Sequence, residues 1–201
     1  MSTTKSERTT QYILETVAPV FNKHGFVGTS MSDLTEATGL TKGALYGNFK
    51  GGKEQLALEV FNFTVRKIMW KMADQVNAKT TAREKLFAIT EFYRNYYQRY
   101  MEHMGGCAIL NMGVDANHLN PALFERVKAV ISKLKQNLAT ILQAGIDSGE
   151  FRQDLDADQI GSRLFAMIQG GIFLTNTFQE PSHLFDMMNQ IDQMVERDFM
   201  N

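Results

Sequence analysis

The side chains of this 201-residue chain that could do chemistry gather between Ser30 and Lys53, and the chemistry they suit is non-covalent recognition. Hydroxyls stand at Ser30, Ser32 and Thr41, cations at Lys42 and Lys53, a phenol at Tyr46 and an amide at Asn48. The small residues Gly43, Ala44 and Gly47 lie among them. Hydroxyl, amide and cationic groups are the usual donors to phosphate oxygens and base edges, and small residues let a helix approach a groove closely. Reaction chemistry has no comparable cluster. No glycine-rich phosphate loop follows a strand, no nucleophile elbow occurs, and no pair of metal ligands shares a helix face. Cys107 is the single cysteine, so no disulfide can form within the chain, and no Cys and His residues have zinc spacing. Neither enzymatic activity nor a metal or cofactor is expected.

Charge narrows the type of recognition. The net charge is -1, and the first 54 residues carry six Lys and Arg against five Asp and Glu. Bulk electrostatics would therefore supply little affinity for nucleic acid, and binding must come from where a few cations and amides are placed. The apolar share of 44% is enough to bury a core. The first eleven residues are polar and lack the apolar stretch of a signal peptide, and no later run reaches the eighteen apolar residues of a membrane span. A cytoplasmic protein with no membrane partner is the expectation.

The elements that must position the cluster are helices, because periodicity near 3.6 dominates and alternating strand patterns are scarce. A first helix is predicted over 6–24, with Ile13, Leu14, Val17, Ala18 and Phe21 on one stripe and Gly25 as its left-handed cap. Ser30 and Asp33 have capping-box spacing and open a short helix that turns Leu34 and Ala37 inward and stops at Gly39. Thr41 caps a second short helix, anchored by Leu45 and Phe49. Two short helices joined at Gly39, the second with a small and polar outer face, form a unit that can enter a major groove. The plain alternative is a helical hairpin with Tyr46 and Phe49 in the core and the lysines solvated. It leaves Gly43 and Gly47 unexplained, since each weakens a helix that gains nothing from it.

The run Thr41-Lys42-Gly43-Ala44-Leu45-Tyr46-Gly47-Asn48-Phe49, followed by Lys53-Glu54-Gln55-Leu56, resembles the signature of the TetR family of transcriptional repressors. The resemblance implies that Lys42, Gly43, Ala44 and Gly47 face base edges. It implies that Ser30, Ser32, Thr41, Tyr46, Asn48 and Lys53 touch phosphates. Three positions depart from the pattern: Thr35 replaces a small residue, Gly47 and Asn48 replace bulkier aromatic or histidine side chains, and Gly51-Gly52 adds one residue before the lysine. Hydrogen-bonded readout then rests mainly on Lys42, with Ala44 available to a thymine methyl, and Lys53 could be displaced by a few ångströms.

Beyond the cluster, a long helix from Lys53 to about residue 77 carries Leu56, Val60, Phe63, Ile68, Met72 and Val76 and would act as a lever. A helix over 82–101 is broken by Gly105-Gly106, and a short segment covers 107–117. Asn120-Pro121 opens a helix closed by Gly149. The last two helices begin near Asp156 and Pro181 and carry Ile160, Leu164, Ile168, Ile172, Leu184, Met188, Ile191 and Val195. These eight either face a partner or finish the core of one chain. The resemblance implies a homodimer through these two helices, reading a palindromic double-stranded DNA operator, with Gly170-Gly171 permitting close helix approach. The expected fold is all-α with about nine helices: a helix-turn-helix domain over 1–52 and a ligand-sensing and dimerisation domain over 53–201.

For the sensing domain, Phe61, Trp70, Phe92, Tyr96, Tyr100, Met104, Cys107 and Met112 are the candidate lining of a cavity for a small hydrophobic or aromatic effector. Ordinary core positions are the competing reading for each of them. Cys107 has a further reading as an electrophile or redox sensor, because a helix start favours the thiolate. His103 and His118 could add polar groups to a pocket. The function expected is thus an effector-responsive repressor. The alternatives are a helical small-molecule-binding or adaptor protein with a degenerate DNA-binding head, and a repressor that senses through Cys107.

Overall fold

The computed structural model describes residues 4–96 and 107–201. Glycines and capping side chains divide them into nine α-helices: α1 (Lys5–Gly28), α2 (Met31–Thr38), α3 (Lys42–Asn48), α4 (Gly52–Asn77), α5 (Ala82–Tyr96), α6 (Ala108–Leu119), α7 (Pro121–Asp147), α8 (Ala157–Phe178) and α9 (Ser182–Met194). A π-helical turn (Val195–Phe199) follows α9, and extended pairing among the described residues is limited to one bridge between Phe151 and Met200. No helix among the described residues is long and apolar enough to cross a membrane.

Packing groups the chain into two compact units. The first holds the described residues of 1–67 and 103–128, the second those of 68–102 and 129–201, so α4 and α7 each contribute to both. In the first unit, α1 opens with a capping box in which Thr4 N–H donates to Glu7 Oε2 at 2.7 Å and Glu7 N–H to Thr4 Oγ1 at 3.2 Å. Its stripe of Ile13, Leu14, Val17, Ala18 and Phe21 is buried. The regular helix ends where expected, at Gly25, whose φ of 72° and ψ of -179° kink the chain before a last turn to Gly28. Helix α1 packs on α2 and α6, and Leu34, Leu45, Phe49, Leu56, Phe61, Met112 and Leu123 complete this core. On α2 the inward pair is Leu34 and Thr38, whereas Ala37 is exposed, a correction to the expected Leu34 and Ala37. Thr38 pairs its hydroxyl with Leu34 O at 2.7 Å, which lets a polar residue take the interior position.

The second unit is built on α5, α8 and α9, with α9 packed on both of the others. Ile160, Leu164, Ile168, Ile172, Leu184, Met188, Ile191 and Val195 are all buried within this one chain, so they finish its own core. Thr90 and Arg94 of α5 hold Asp192 of α9 through bonds of 2.7 Å from Thr90 Oγ1 and 2.5 Å from Arg94 Nη2. The two consecutive glycines of α8 serve different surfaces. A β-carbon on Gly171 would press on Leu184 and Met187 of α9 at 3.2–3.3 Å, whereas one on Gly170 would meet open space. Ala166, Gly170, Phe173 and Leu174 form an exposed stripe on α8, spaced at helical period.

Candidate nucleic-acid interface

The helix-turn-helix is assembled from local bonds that the sequence encodes directly. Ser30 caps α2 by accepting the Asp33 N–H at 3.1 Å, and Asp33 Oδ2 accepts the Ser30 N–H at 2.7 Å. The Ser30 N–H, and then its hydroxyl, hold the Asp33 carboxyl below the usual carboxylate range. Gly39 caps the other end of α2 with φ 66°, in the left-handed region, and its N–H donates to Thr35 O at 2.9 Å. Thr41 then opens α3 by accepting the Ala44 N–H at 3.2 Å. Tertiary contacts fix the angle of these pieces. Leu45 and Phe49 are buried against the rest of the unit, and the Tyr12 hydroxyl on α1 donates to Thr38 O at 3.0 Å.

This leaves one face of α3 open. Ser30, Ser32, Thr41, Lys42, Gly43, Tyr46 and Gly47 are exposed and Ala44 is half-buried. The Lys42 ammonium lies 5.9 Å from the centroid of the Tyr46 ring, close enough for a cation–π attraction. A β-carbon on Gly47 would meet nothing within 4 Å, and one on Gly43 only Thr41 Oγ1 at 3.9 Å. Neither glycine takes a positive φ, so among the described residues neither is demanded by backbone or packing. Gly52 differs: its φ is 65°, and a β-carbon there would lie 3.0 Å from Tyr46 Cε1.

Two residues expected at phosphates are engaged inside the head. Asn48 donates from Nδ2 to Ala44 O at 2.9 Å, and its Oδ1 accepts from Thr10 Oγ1 at 3.3 Å, which ties α3 to α1. Lys53 donates to Phe26 O at 2.9 Å and Thr29 O at 3.0 Å and stands over the Phe26 ring, 4.4 Å from its centroid. The corner between α1 and α2 is also held from α6, where Asn111 Nδ2 donates to Asn22 O at 2.6 Å and Asp115 Oδ2 accepts the Val27 N–H at 3.4 Å. Tyr12, Thr10, Asn111 and Asp115 were not singled out from the sequence. Each joins segments far apart along the chain, and no local spacing signals such a pair.

Five of the eight side chains expected to line an effector cavity are described, in two separate units. Phe61 and Met112 are buried in the core of the first unit. In the second unit Phe92 is buried edge-on to Tyr93, with ring centroids 5.7 Å apart, and Trp70 is exposed at 69%. The Tyr96 side chain, Tyr100 and Met104 lie outside the described residues, as do His103 and the His118 side chain. Cys107 stands at the N-cap of α6. Burial pushes its thiol above the ordinary value, outweighing the backbone N–H groups of Leu110 and Ile109, which pull it down. Burial thus opposes the thiolate that the helix start by itself would favour. A cleft of about 560 Å³ opens in the second unit between α7 and the start of α8, lined by polar groups such as Gln136, Thr140, Gln143, Asp147 and Asp156. None of the five candidates with described side chains, Phe61, Trp70, Phe92, Cys107 and Met112, lines it. Among the described residues no group of His, Cys, Asp and Glu could hold a metal ion.

Comparison with known proteins agrees with this geometry. Residues 13–60 match the family described as bacterial regulatory proteins, tetR family, and residues 82–191 match the tetracyclin repressor-like C-terminal domain. The HTH-type transcriptional regulator LmrA of Bacillus subtilis (strain 168) is 27% identical over 188 residues, covering 92% of this chain and 95% of LmrA. A TetR-family transcriptional regulator from Cytophaga hutchinsonii superposes with a TM-score of 0.87 at 33% identity, over 98% of this chain and 97% of its own. A TetR transcriptional regulator from Chloroflexus aurantiacus J-10-FL superposes with a TM-score of 0.89 at 30% identity, over 98% of both chains.

Proposed function

Because this chain belongs to the TetR family of DNA-binding transcriptional regulators and is not an enzyme, we propose that it is a repressor that reads a palindromic operator as a homodimer and leaves it when a small apolar or aromatic effector binds. The observation that carries the reading is the open face of α3. Lys42, Gly43, Tyr46 and Gly47 are exposed on a helix whose other side is anchored by Leu45 and Phe49, and the two glycines have no packing or backbone task among the described residues. A helix with a cation, a ring and no side-chain bulk between them is suited to the floor of a major groove. In this reading Lys42 donates to a guanine edge, Ala44 touches a thymine methyl, and Ser30, Ser32, Thr41 and Tyr46 meet phosphates.

A palindrome requires two reading heads related by a two-fold axis. The exposed stripe of Ala166, Gly170, Phe173 and Leu174 on α8 supports the dimer: small residues permit a close crossing and the two large ones supply apolar area. An effector releases DNA only through unequal affinity for the bound and free states of the protein. Helix α4 is the covalent path for such a change, because it runs unbroken from Gly52 to Asn77. The aromatic and methionine content between α4 and α6 supports an apolar or aromatic effector.

Selection of bound sequences from a random DNA pool tests the reading. Enrichment of a palindrome by the protein, lost with Lys42→Ala, is the expected result. Enrichment of no motif even at low salt would overturn it and favour a helical adaptor with a degenerate head.

A further inference from the structure

We propose that Lys53 is a positioning residue for operator binding, its ammonium fixing the corner between α1 and α2 instead of meeting a DNA phosphate; the inference rests on the DNA-binding reading above. The last turn of α1 contains no basic residue of its own. Carbonyls at a helix C-terminus lack intrahelical donors and carry partial negative charge, so they attract a cation. Lys53 supplies that cation from the first turn of α4, donating to Phe26 O at 2.9 Å and Thr29 O at 3.0 Å. Its charge also rests 4.4 Å from the centroid of the Phe26 ring, itself only 5% exposed.

An ammonium has three N–H donors, and two are committed here. Turning the side chain toward a phosphate would break both bonds and abandon the ring. The carbonyls concerned stand at a sensitive place. Thr29 is the residue before the Ser30 cap, and its own hydroxyl donates to Gly25 O at 2.7 Å. The start of α2, and through Gly39 the direction of α3, therefore follow from where Lys53 holds the corner. Gly52 sets the approach, because its φ of 65° turns the chain just before Lys53. The extra glycine relative to the family pattern thus sits beside a lysine aimed back at α1. Since Lys53 belongs to α4, a displacement of α4 is passed to the corner directly through these bonds.

The experiment measures affinity for the selected palindrome over a range of salt concentrations, for the wild type, Lys53→Gln and Phe26→Leu. Positioning predicts that Lys53→Gln weakens binding about ten-fold at each salt concentration with the salt slope unchanged. It also predicts faster amide hydrogen exchange over 29–33 in the free protein. A slope smaller by about one, with exchange over 29–33 unaltered, would show a phosphate contact and overturn the proposal. Unchanged affinity overturns it as well. Phe26→Leu carries the test should Lys53→Gln fail to fold: it touches no group that faces DNA, yet it removes the ring beneath the ammonium. Weaker binding at an unchanged slope supports the proposal, and wild-type affinity overturns it. Failure of the wild-type protein to select any DNA would instead strike the DNA-binding reading itself.

Discussion

Asp115 of α6 occupies the space that a β-carbon on Gly25 of α1 would need, and its Oδ2 accepts the Val27 N–H at 3.4 Å. The kink that ends α1 and the close seat of α6 therefore depend on the same missing side chain. Gly25 has φ 72° and ψ -179°, a region open essentially only to glycine.

Gly25→Ala is expected to destabilise the protein by about 2 kcal/mol or more, from the backbone strain together with displacement of Asp115. Urea denaturation measures this. A loss below about 0.5 kcal/mol, the size of an ordinary surface change, would mean that α6 is not seated on this residue.

Lys42→Ala removes an exposed side chain from α3 and should leave thermal stability unchanged while costing about 1–3 kcal/mol of binding to the selected operator. Fluorescence anisotropy with operator and unrelated duplexes decides its role. Loss confined to the operator identifies a base contact, whereas equal loss on both duplexes identifies a phosphate contact.

The capping box at Ser30 and Asp33 sets a pH dependence whose sign follows from the lowered carboxyl. A depressed folded-state value means that the contribution is complete above the unfolded Asp value of about 3.9 and is lost as pH falls through the folded value. Asp33→Asn should lower the melting temperature by a constant amount between about pH 5 and 8, with the gap closing below about pH 4. A gap that does not narrow as the pH falls below about 4 would assign the effect to something other than the carboxylate.

Phe173 is 56% exposed and Leu174 38% on the open stripe of α8. The Phe173→Asp and Leu174→Asp double variant is expected to sediment as a monomer and to lose operator binding, with helix content retained. Persistence of a dimer would place the two-fold contact on another surface.

Arg94 and Asp192 join α5 to α9 with side chains 22% and 27% exposed. Asp192→Ala leaves the guanidinium and the Thr90 hydroxyl without this acceptor and should cost about 1–2 kcal/mol. Calorimetry should show the melting temperature lowered by about 2–8 °C. An unchanged midpoint would mean that water replaces the carboxylate at no cost.

The features that the amino-acid sequence settles here are the ones set by neighbours along the chain. The stripe from Ile13 to Phe21, the caps at Ser30, Thr41, Asn120 and Asp156, and the stops at Gly25, Gly39 and Gly149 each depend on residues within a turn or two. Helix propensity and capping act over that range, so the all-helical class and the helix-turn-helix could be derived from residue types and spacing. Where each long side chain goes was decided only when distant segments packed. Lys53 and Asn48 have the types of phosphate ligands, yet Lys53 found unpaired carbonyls at the end of α1, and Asn48 found Thr10 and Ala44. The apolar positions of the last two helices divide in the same way. Period 3.6 says which residues share a face, but α9 docking between its neighbours made Ile168 and Ile172 core and left Phe173 and Leu174 open. A buried donor, acceptor or apolar face takes whichever complement the fold brings within reach, and that choice is made across dozens of residues of intervening chain.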